Sequence, residues 1–376
     1  MSAPRLKNDC FALPPGVTWT PVDQALERLR SALHPIVTLE ERALGQALGC
    51  ILAQDVRAPR AHPPAANTAV DGYGFAHASL PGQGEVTLPL VAGRAAAGVP
   101  YPHPVPPEQA IRVLTGALLP QGVDTVVLQE DVAIGEGTIT FEARLKPGAN
   151  ARAGGEDFEA GDVLLAAGAR INPTHIGLLA AAGVAEVPVR APLRVGLLST
   201  GDELAQPGEG AAPGQVYDAN RPMLAAMLRR WGMEVVDLGA CPDDRAALGA
   251  VLDRAADEVD ALITSGGASA GEEDHLSALM SARGQVSTWR IAVKPGRPLM
   301  LGTWGGGLPV FGLPGNPVAA FVCTLIFARP ALFALMGAGW PQPQALHLPA
   351  AFEKTKKAGR REFLRARLTD QGRVEV

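Results

Sequence analysis

Apolar positions change their period along this chain, and the change divides it. Near the start, Val22, Ala25, Leu26, Leu29 and Leu33 recur at helical spacing and form one stripe. Thr20 is expected to cap that helix, with Pro21 at the first helical position and Asp23 in the first turn. The mixed run to Asp55 stops at the proline-rich RAPRAHPPAAN, and residues 1–17 read as a loose tail. Over 67–150 the apolar runs are short and turn-bounded: EVTLPLVAG, QAIRVLTGA, DTVVLQED and GTITFEARL. They predict a small β-rich domain. The stretch 151–190 adds a helix, THIGLLAAAG, and a strand, AEVPV.

From about residue 191, strand and helix patterns alternate. LRVGLLSTGDEL is a strand and turn. RPMLAAMLRRWG is a helix with Leu224, Met227, Leu228 and Trp231 on one face. MEVVDLGA is a strand, and RAALGAVLDRAADEVD a helix facing inward through Leu248, Val251, Leu252 and Ala255. DALITSGG, QVSTWRIAV and LPVFGLPGNP are further strands. Alternation of this kind predicts right-handed crossovers and a mostly parallel sheet over 191–338. GWPQPQ reads as a linker, and REFLRARL beyond it as a pair of strands. The fold class is therefore multi-domain, α/β plus β. VAAFVCTLIFA, the longest apolar run, falls short of the roughly 18 residues a membrane span needs and reads as a buried helix.

Composition narrows the function classes. The chain has 376 residues, which predicts several domains. A net charge of −5 excludes the basic footprint of a nucleic-acid binder. Cys10, Cys50, Cys241 and Cys323 form no C-x-x-C pair, so neither a zinc site nor a disulfide framework is expected. Free thiols, with no basic-then-apolar leader pattern, point to a cytoplasmic protein with no membrane partner.

Ligands of open α/β sheets sit beyond the carboxyl ends of the strands. Three loops leave strands that way: STGDEL, TSGGASAGEED and GLPGNP. They offer glycine amides that suit phosphate, hydroxyls from Ser199, Thr200, Ser265 and Ser269, and carboxylates from Asp202, Glu203, Glu272, Glu273 and Asp274. Gly201, Gly266, Gly267, Gly271 and Gly315 line the turns. VKPGRP adds Lys294 and Arg297 on a turn stiffened by two prolines. Acids beside an anion cradle make sense if a divalent cation bridges them to phosphate, as Mg²⁺ does with one or two carboxylates. Singly, each motif reads as an ordinary turn; GDEL alone is a common helix start. His275 is assigned no role. In the first half, VDGYGF and RAGGEDF are turns with acids, and RVLTGALLPQGVDTVVLQED carries a TGA turn after a strand.

In order, VDGYGF, LTGALLPQGVDTVVLQED, GGEDF, STGDEL, YDANR, SGGASAGEEDH, KPGRP and GLPGNPVAA resemble the molybdopterin molybdenumtransferase family, related to the gephyrin E domain. The likeness runs from about Thr18 to Leu368. It implies an elongated homodimer of four domains: a discontinuous dimerisation domain (18–61 and 151–190), a β-rich domain (62–150), a molybdopterin-binding α/β domain (191–338) and a C-terminal β domain (341–376). It implies insertion of molybdate into adenylylated molybdopterin with release of AMP, assisted by Mg²⁺, in a site shared between subunits. The small-molecule substrates, a second copy of the chain, the molybdopterin adenylyltransferase and downstream molybdoenzyme assembly factors are the implied partners.

Position by position, the resemblance assigns catalytic roles to Asp71, Thr115, Asp157, Glu203, Asp243, Asp274, Lys294 and Arg297, with Asp71, Asp157, Glu203, Asp243 and Asp274 as the metal's carboxylates. Substrate contacts fall to the strand-end loops named above, to Asn220 of YDANR, to Pro314, Gly315, Asn316 and Pro317, and to Arg360 and Arg365. Several positions depart from the family pattern. Arg297 stands where lysine is usual and keeps the charge while adding a fork. Val70 replaces a methionine, and two alanines in GGASAG replace valines. The family usually continues through a Gln-Gly-Ser loop, so the C-terminal domain is expected to be partial. Two other readings fit the α/β half: a molybdopterin adenylyltransferase, and a non-catalytic molybdopterin-binding scaffold.

Overall fold

The computed structural model describes residues 19–266, 275–296, 298–355 and 359–376. The first helix runs Val22–Ala32 and buries Val22 and Ala25. Thr20 does not cap it. Its carbonyl instead accepts from the amide of Ala292, and Pro21 occupies the cap position without a side-chain bond. The helix start is thus set by a strand-like contact to the α/β half, and helix Val22–Ala32 packs through Leu26, Leu29 and Leu33 onto that core.

The β-rich half is a six-stranded mixed sheet in the order Thr125–Leu128, Gly72–Phe75, Ala110–Val113, Glu85–Ala95, Thr138–Glu142, Ala133–Ile134. Only Glu85–Ala95 with Ala110–Val113 is a parallel pair. Gly72 has to be glycine here, because an added Cβ would collide with the carbonyl of Val127 on the neighbouring strand. A separate antiparallel pair, Leu39–Ala43 with Glu186–Arg190, joins the two chain segments that flank this sheet. The helix Pro173–Ala182 covers it, capped by Asn172 and ended by Gly183 in the left-handed region.

The α/β sheet has six strands in the order Glu234–Cys241, Arg194–Thr200, Ala261–Ser265, Leu308–Leu313, Pro298–Trp304, Gln285–Arg290. The first four run parallel, and Pro298–Trp304 runs antiparallel to both of its neighbours. Pro298–Trp304 is a strand the apolar pattern did not mark, because a proline opens it and Gly302 interrupts it. Gly305, Gly306 and Gly307, all at positive φ, turn it back onto Leu308–Leu313. Alternation along Arg194–Thr200 sends Leu197 to one face, with Leu224, Leu228, Phe327 and Leu332. Leu198 goes to the other, with Leu248, Leu252, Leu276 and Trp304. Helices therefore cover both faces.

The apolar run read as one buried helix spans Pro317–Leu335, with a π-helical stretch at Thr324–Ala328. It is long and apolar enough to cross a membrane by length and composition, yet Ala320, Cys323, Phe327 and Leu332 pack into the sheet core. Phe321 is 41% exposed, so the burial is one-sided. REFLRARL supplies two short strands that do not pair with each other. Arg361–Glu362 runs parallel to Val293–Lys294, and Arg367–Leu368 pairs with Val374–Glu375.

Candidate active site

Register lines up the strand ends. Thr200 lies beside Cys241, Ser199 beside Ser265, and Ser265 beside Leu313. The segments that follow Thr200, Ser265 and Leu313 thus leave one edge together. A side-chain bond crosslinks them: Asn220 Nδ2 donates to Ser265 Oγ and to the Gly315 carbonyl, each at 2.7 Å. Gly266, at φ +90°, sits so close that an added Cβ would lie 2.5 Å from the carbonyl of Thr200. At Gly201 a Cβ would collide with the Glu203 carboxylate. Gly266 is thus a glycine by steric necessity, and Gly201 by its backbone, at φ +140°.

Two of the aligned polar groups keep unused hydrogen-bonding capacity. Thr200 Oγ1 and Asn220 Oδ1 are buried with no partner among the described residues. A buried polar atom in that state costs about 1–3 kcal/mol, so this edge has capacity for further polar partners. Ser199 differs. It is fully buried and its Oγ donates to Asp218 Oδ2 at 2.6 Å. Asp218, 2% exposed, also accepts from the backbone N and Nε of Arg221 at 3.1 Å each. Ser199 therefore supports the edge from within and is not placed to touch a ligand. Asn316 is similarly occupied: its Oδ1 accepts from Ala319 N at 3.1 Å and caps the helix that Pro317 opens. Pro314 is buried behind that turn, while Gly315 is exposed.

Acidic groups gather at the same edge. Asp243 follows strand Glu234–Cys241, and its amide donates to Asp202 Oδ1 at 3.1 Å. Glu203 is exposed next to it in sequence. Asp243's neighbour Asp244 is committed to capping helix Arg245–Glu258. Gly267, Ser269, Gly271, Asp274 and Arg297 lie outside the described residues. Among the described residues no three His, Cys, Asp or Glu side chains form a metal-holding group. The expected set of Asp71, Asp157, Glu203 and Asp243 is thus not assembled within one chain.

Lys294 belongs to a second feature, a cleft of about 1030 Å³ between the α/β sheet and the C-terminal segment. Lys294, Pro317, Glu362 and Arg365 line it, over an apolar floor that includes Phe321 and Ile326. Backbone bonds hold the two walls together: Arg361 N donates to Ala292 O, and Phe363 N to Lys294 O, both at 2.8 Å. Glu362 lies 2.9 Å from both Lys294 Nζ and Lys354 Nζ. Those two ammonium groups pull its carboxyl down to about 2. Two ammonium groups thus share one carboxylate, and Arg365 adds a further cation to the cleft lining, an excess that suits an anion. Gly296 of the lysine turn has a carbonyl 3.6 Å from the buried Cys323 Sγ. Arg360 opens the same C-terminal stretch and is half-buried.

The β-rich half presents a third group. Asp71 Oδ1 accepts from Thr115 N at 2.7 Å and Thr115 Oγ1 at 2.6 Å, and these bonds hold its carboxyl below the usual range. Asp157 pairs with Arg152 at 2.7 Å, and Arg152 also reaches Glu156 at 3.1 Å. Asn67 faces Arg152 and Thr68 O accepts from Gly116 N, so both acids flank one two-stranded junction. Among the described residues no hydrogen bond or ion pair joins this group to the strand-end edge.

Sequence reasoning passed over Asp218, Arg221, Arg152, Lys354 and Glu362. Asp218 and Arg221 lie inside YDANR, where only Asn220 was assigned. Arg152 carried a signal in its acids four and five residues on. Glu362 stands between arginines in REFLR, which reads as a basic stretch until the fold brings lysines to it.

Comparison with known proteins places these features in a family. Residues 20–183 match the MoeA N-terminal region (domain I and II), and residues 196–334 the probable molybdopterin binding domain. A molybdopterin molybdenumtransferase of Haemophilus influenzae is 39% identical over 359 residues, covering 94% of this chain and 88% of the relative. A molybdopterin molybdenumtransferase 2 of Mycobacterium tuberculosis is 40% identical over 339 residues, 87% of this chain and 83% of its own. A solved molybdopterin biosynthesis moeA protein from Pyrococcus horikoshii OT3 superposes with a TM-score of 0.81 at 27% identity, covering 95% of this chain and 89% of that one.

Proposed function

The chain belongs to the molybdopterin molybdenumtransferase family, and on that premise we propose how its residues serve the reaction. The protein is a transferase of molybdenum cofactor biosynthesis that inserts molybdenum. In our reading the substrate is adenylylated molybdopterin, the metal arrives as molybdate, AMP leaves, and the enzyme works as a cytoplasmic homodimer. The four-part division of the chain given above is retained.

The carrying observation is the cleft in which Lys294, Arg365 and the Pro317 turn meet. Molybdate is a tetrahedral dianion. Lys294 Nζ and the Arg365 guanidinium hold it by charge-assisted bonds, and the anion competes with Glu362 for Lys294. The nucleotide ester lies along the strand-end edge, where Thr200 Oγ1 donates to it and Asn220 Oδ1 accepts from it. Arg297 and Asp274 keep the roles assigned above. Magnesium takes one or two carboxylates together with phosphate oxygens. Glu203 and Asp243 suit that share at this edge, and the ion would polarise the phosphate. The Asp71–Thr115 pair and Asp157 act from the partner subunit, which explains why they stand apart from the edge within one chain. Exposed Ile36 and Leu39, on the segment assigned to dimerisation, support a second copy.

The β-rich half argues against the adenylyltransferase reading. Incubating the protein with adenylylated molybdopterin tests the proposal: AMP should appear only when molybdate and Mg²⁺ are both added. Pterin binding with no AMP under those conditions would refute turnover and leave a scaffold.

A further inference from the structure

A small pocket of about 240 Å³ lies where the Leu39–Ala43 and Glu186–Arg190 pair meets the α/β domain. Three arginines line it, Arg42, Arg170 and Arg190, and no carboxylate does. Their donors are poorly matched. Arg42 Nη1 points at Cys50 Sγ, 3.1 Å away, a weak acceptor. Arg170 Nε reaches the Gly49 carbonyl at 3.3 Å, and Arg190 Nη1 reaches Val37 O only at 3.5 Å. Arg190 Nε is buried with no partner among the described residues. A guanidinium carries five donors, so most of this capacity is unmatched.

Part of the charge has a structural counterpart. Arg42 also pairs with Glu40. Arg170 and Arg190 approach two helix C-terminal ends, at Gly232 and Gly337. A Cβ on Gly232 would lie 3.2 Å from Arg170 Nη2, and one on Gly337 2.8 Å from Arg190 Nε. Each helix end carries about half a negative charge. One carboxylate and two helix ends still leave roughly one positive charge over. The volume falls below the roughly 300–1,000 Å³ of organic-ligand pockets, which favours a small inorganic ion.

We propose that this pocket binds a small tetrahedral oxyanion, of the phosphate, sulfate or molybdate class, on the forked donors of Arg42, Arg170 and Arg190. Arginine forks match such oxygens two at a time. The pocket is distinct from the strand-end edge: helix Asn220–Arg230 starts at that edge with Asn220 and ends two residues before Gly232, which lies here, and the helix alone spans about 15 Å at 1.5 Å per residue. The inference does not depend on the reaction proposed above.

Calorimetric titration of the full chain in chloride buffer with inorganic phosphate, sulfate and molybdate tests it. For each anion one saturable event per chain with Kd below ~1 mM that persists in Lys294→Ala is expected; a second molybdate event, at the Lys294 cleft, should vanish in that variant. Arg170→Gln combined with Arg190→Gln should weaken the first event at least about tenfold. Arg190→Lys, which keeps the charge and loses the fork, should weaken it less and guards against misfolding of the double variant. No saturable binding of any of the three anions by the wild type would overturn the proposal. So would undiminished binding in both arginine variants, or loss of the first event in Lys294→Ala alone.

Discussion

Replacing Asn220 by alanine probes how the strand ends are held together. The side chain donates 2.7 Å bonds to Ser265 Oγ and to Gly315 O, and Asn220 is 6% exposed. Loss of the bond to the buried Ser265 hydroxyl costs about 1–3 kcal/mol, and loss of the bond to the more exposed Gly315 carbonyl about 0.5–1.5 kcal/mol. Removing the partnerless Oδ1 offsets about 1–3 kcal/mol of this. The net for the free protein, from the middle of each range, is a destabilisation of about 1 kcal/mol. Urea unfolding followed through the fluorescence of the buried Trp304 would measure it. A double-mutant cycle with Ser265→Ala isolates the crosslink and should give a coupling of about 1 kcal/mol. In the presence of the pterin substrate the variant should lose more, because Oδ1 then has a partner. Additive effects within about 0.3 kcal/mol, or an equal loss with and without substrate, would refute the view that Asn220 ties the loops and meets the ligand.

Four further outcomes follow from the same geometry. Glu362→Gln removes the competitor for Lys294, so the molybdate concentration giving half-maximal AMP release should fall several-fold; an unchanged value would mean the anion does not share Lys294 with Glu362. Because the Glu362 carboxyl is pulled from 4.5 to about 2 by Lys294 and Lys354, its contribution to stability is present above about pH 4.5 and lost as pH falls toward 2. Acid titration of the urea midpoint should show a smaller loss in Glu362→Gln than in the wild type. Thr115→Val removes one of the two bonds that hold the Asp71 carboxyl low, so the Asp71 titration followed by NMR should move up and kcat should drop on the order of tenfold. Gly266→Ala combines a positive φ with a clash against Thr200 O and should destabilise the α/β domain by about 1–3 kcal/mol, read as a lower urea midpoint.

Much of the α/β half was legible because its helices advertise one face. Leu224 and Leu228, and Leu248 and Leu252, recur at the helical period and are the residues found buried. The strand-end loops were legible for a topological reason: in a parallel sheet every loop after a strand reaches the same edge. The strand Pro298–Trp304 was not, since its proline and glycine mimic a turn and only pairing on both sides makes it a strand. Nor was the start of helix Val22–Ala32, where a contact to Ala292 overrode a local cap. The cleft partners were hidden for the same kind of reason. Glu362 meets Lys294 only through a two-residue parallel ladder, a contact no local pattern encodes. Asp71 and Thr115 were both singled out, but their pairing depends on adjacent strands of a folded sheet.

The most direct test is AMP release from adenylylated molybdopterin by Lys294→Ala, measured over a range of molybdate concentrations beside the wild type. Retained maximal release with a molybdate requirement raised by at least about tenfold is expected, the sign of lost anion binding. A variant whose molybdate dependence overlays that of the wild type would contradict the placement of the metallate in the cleft.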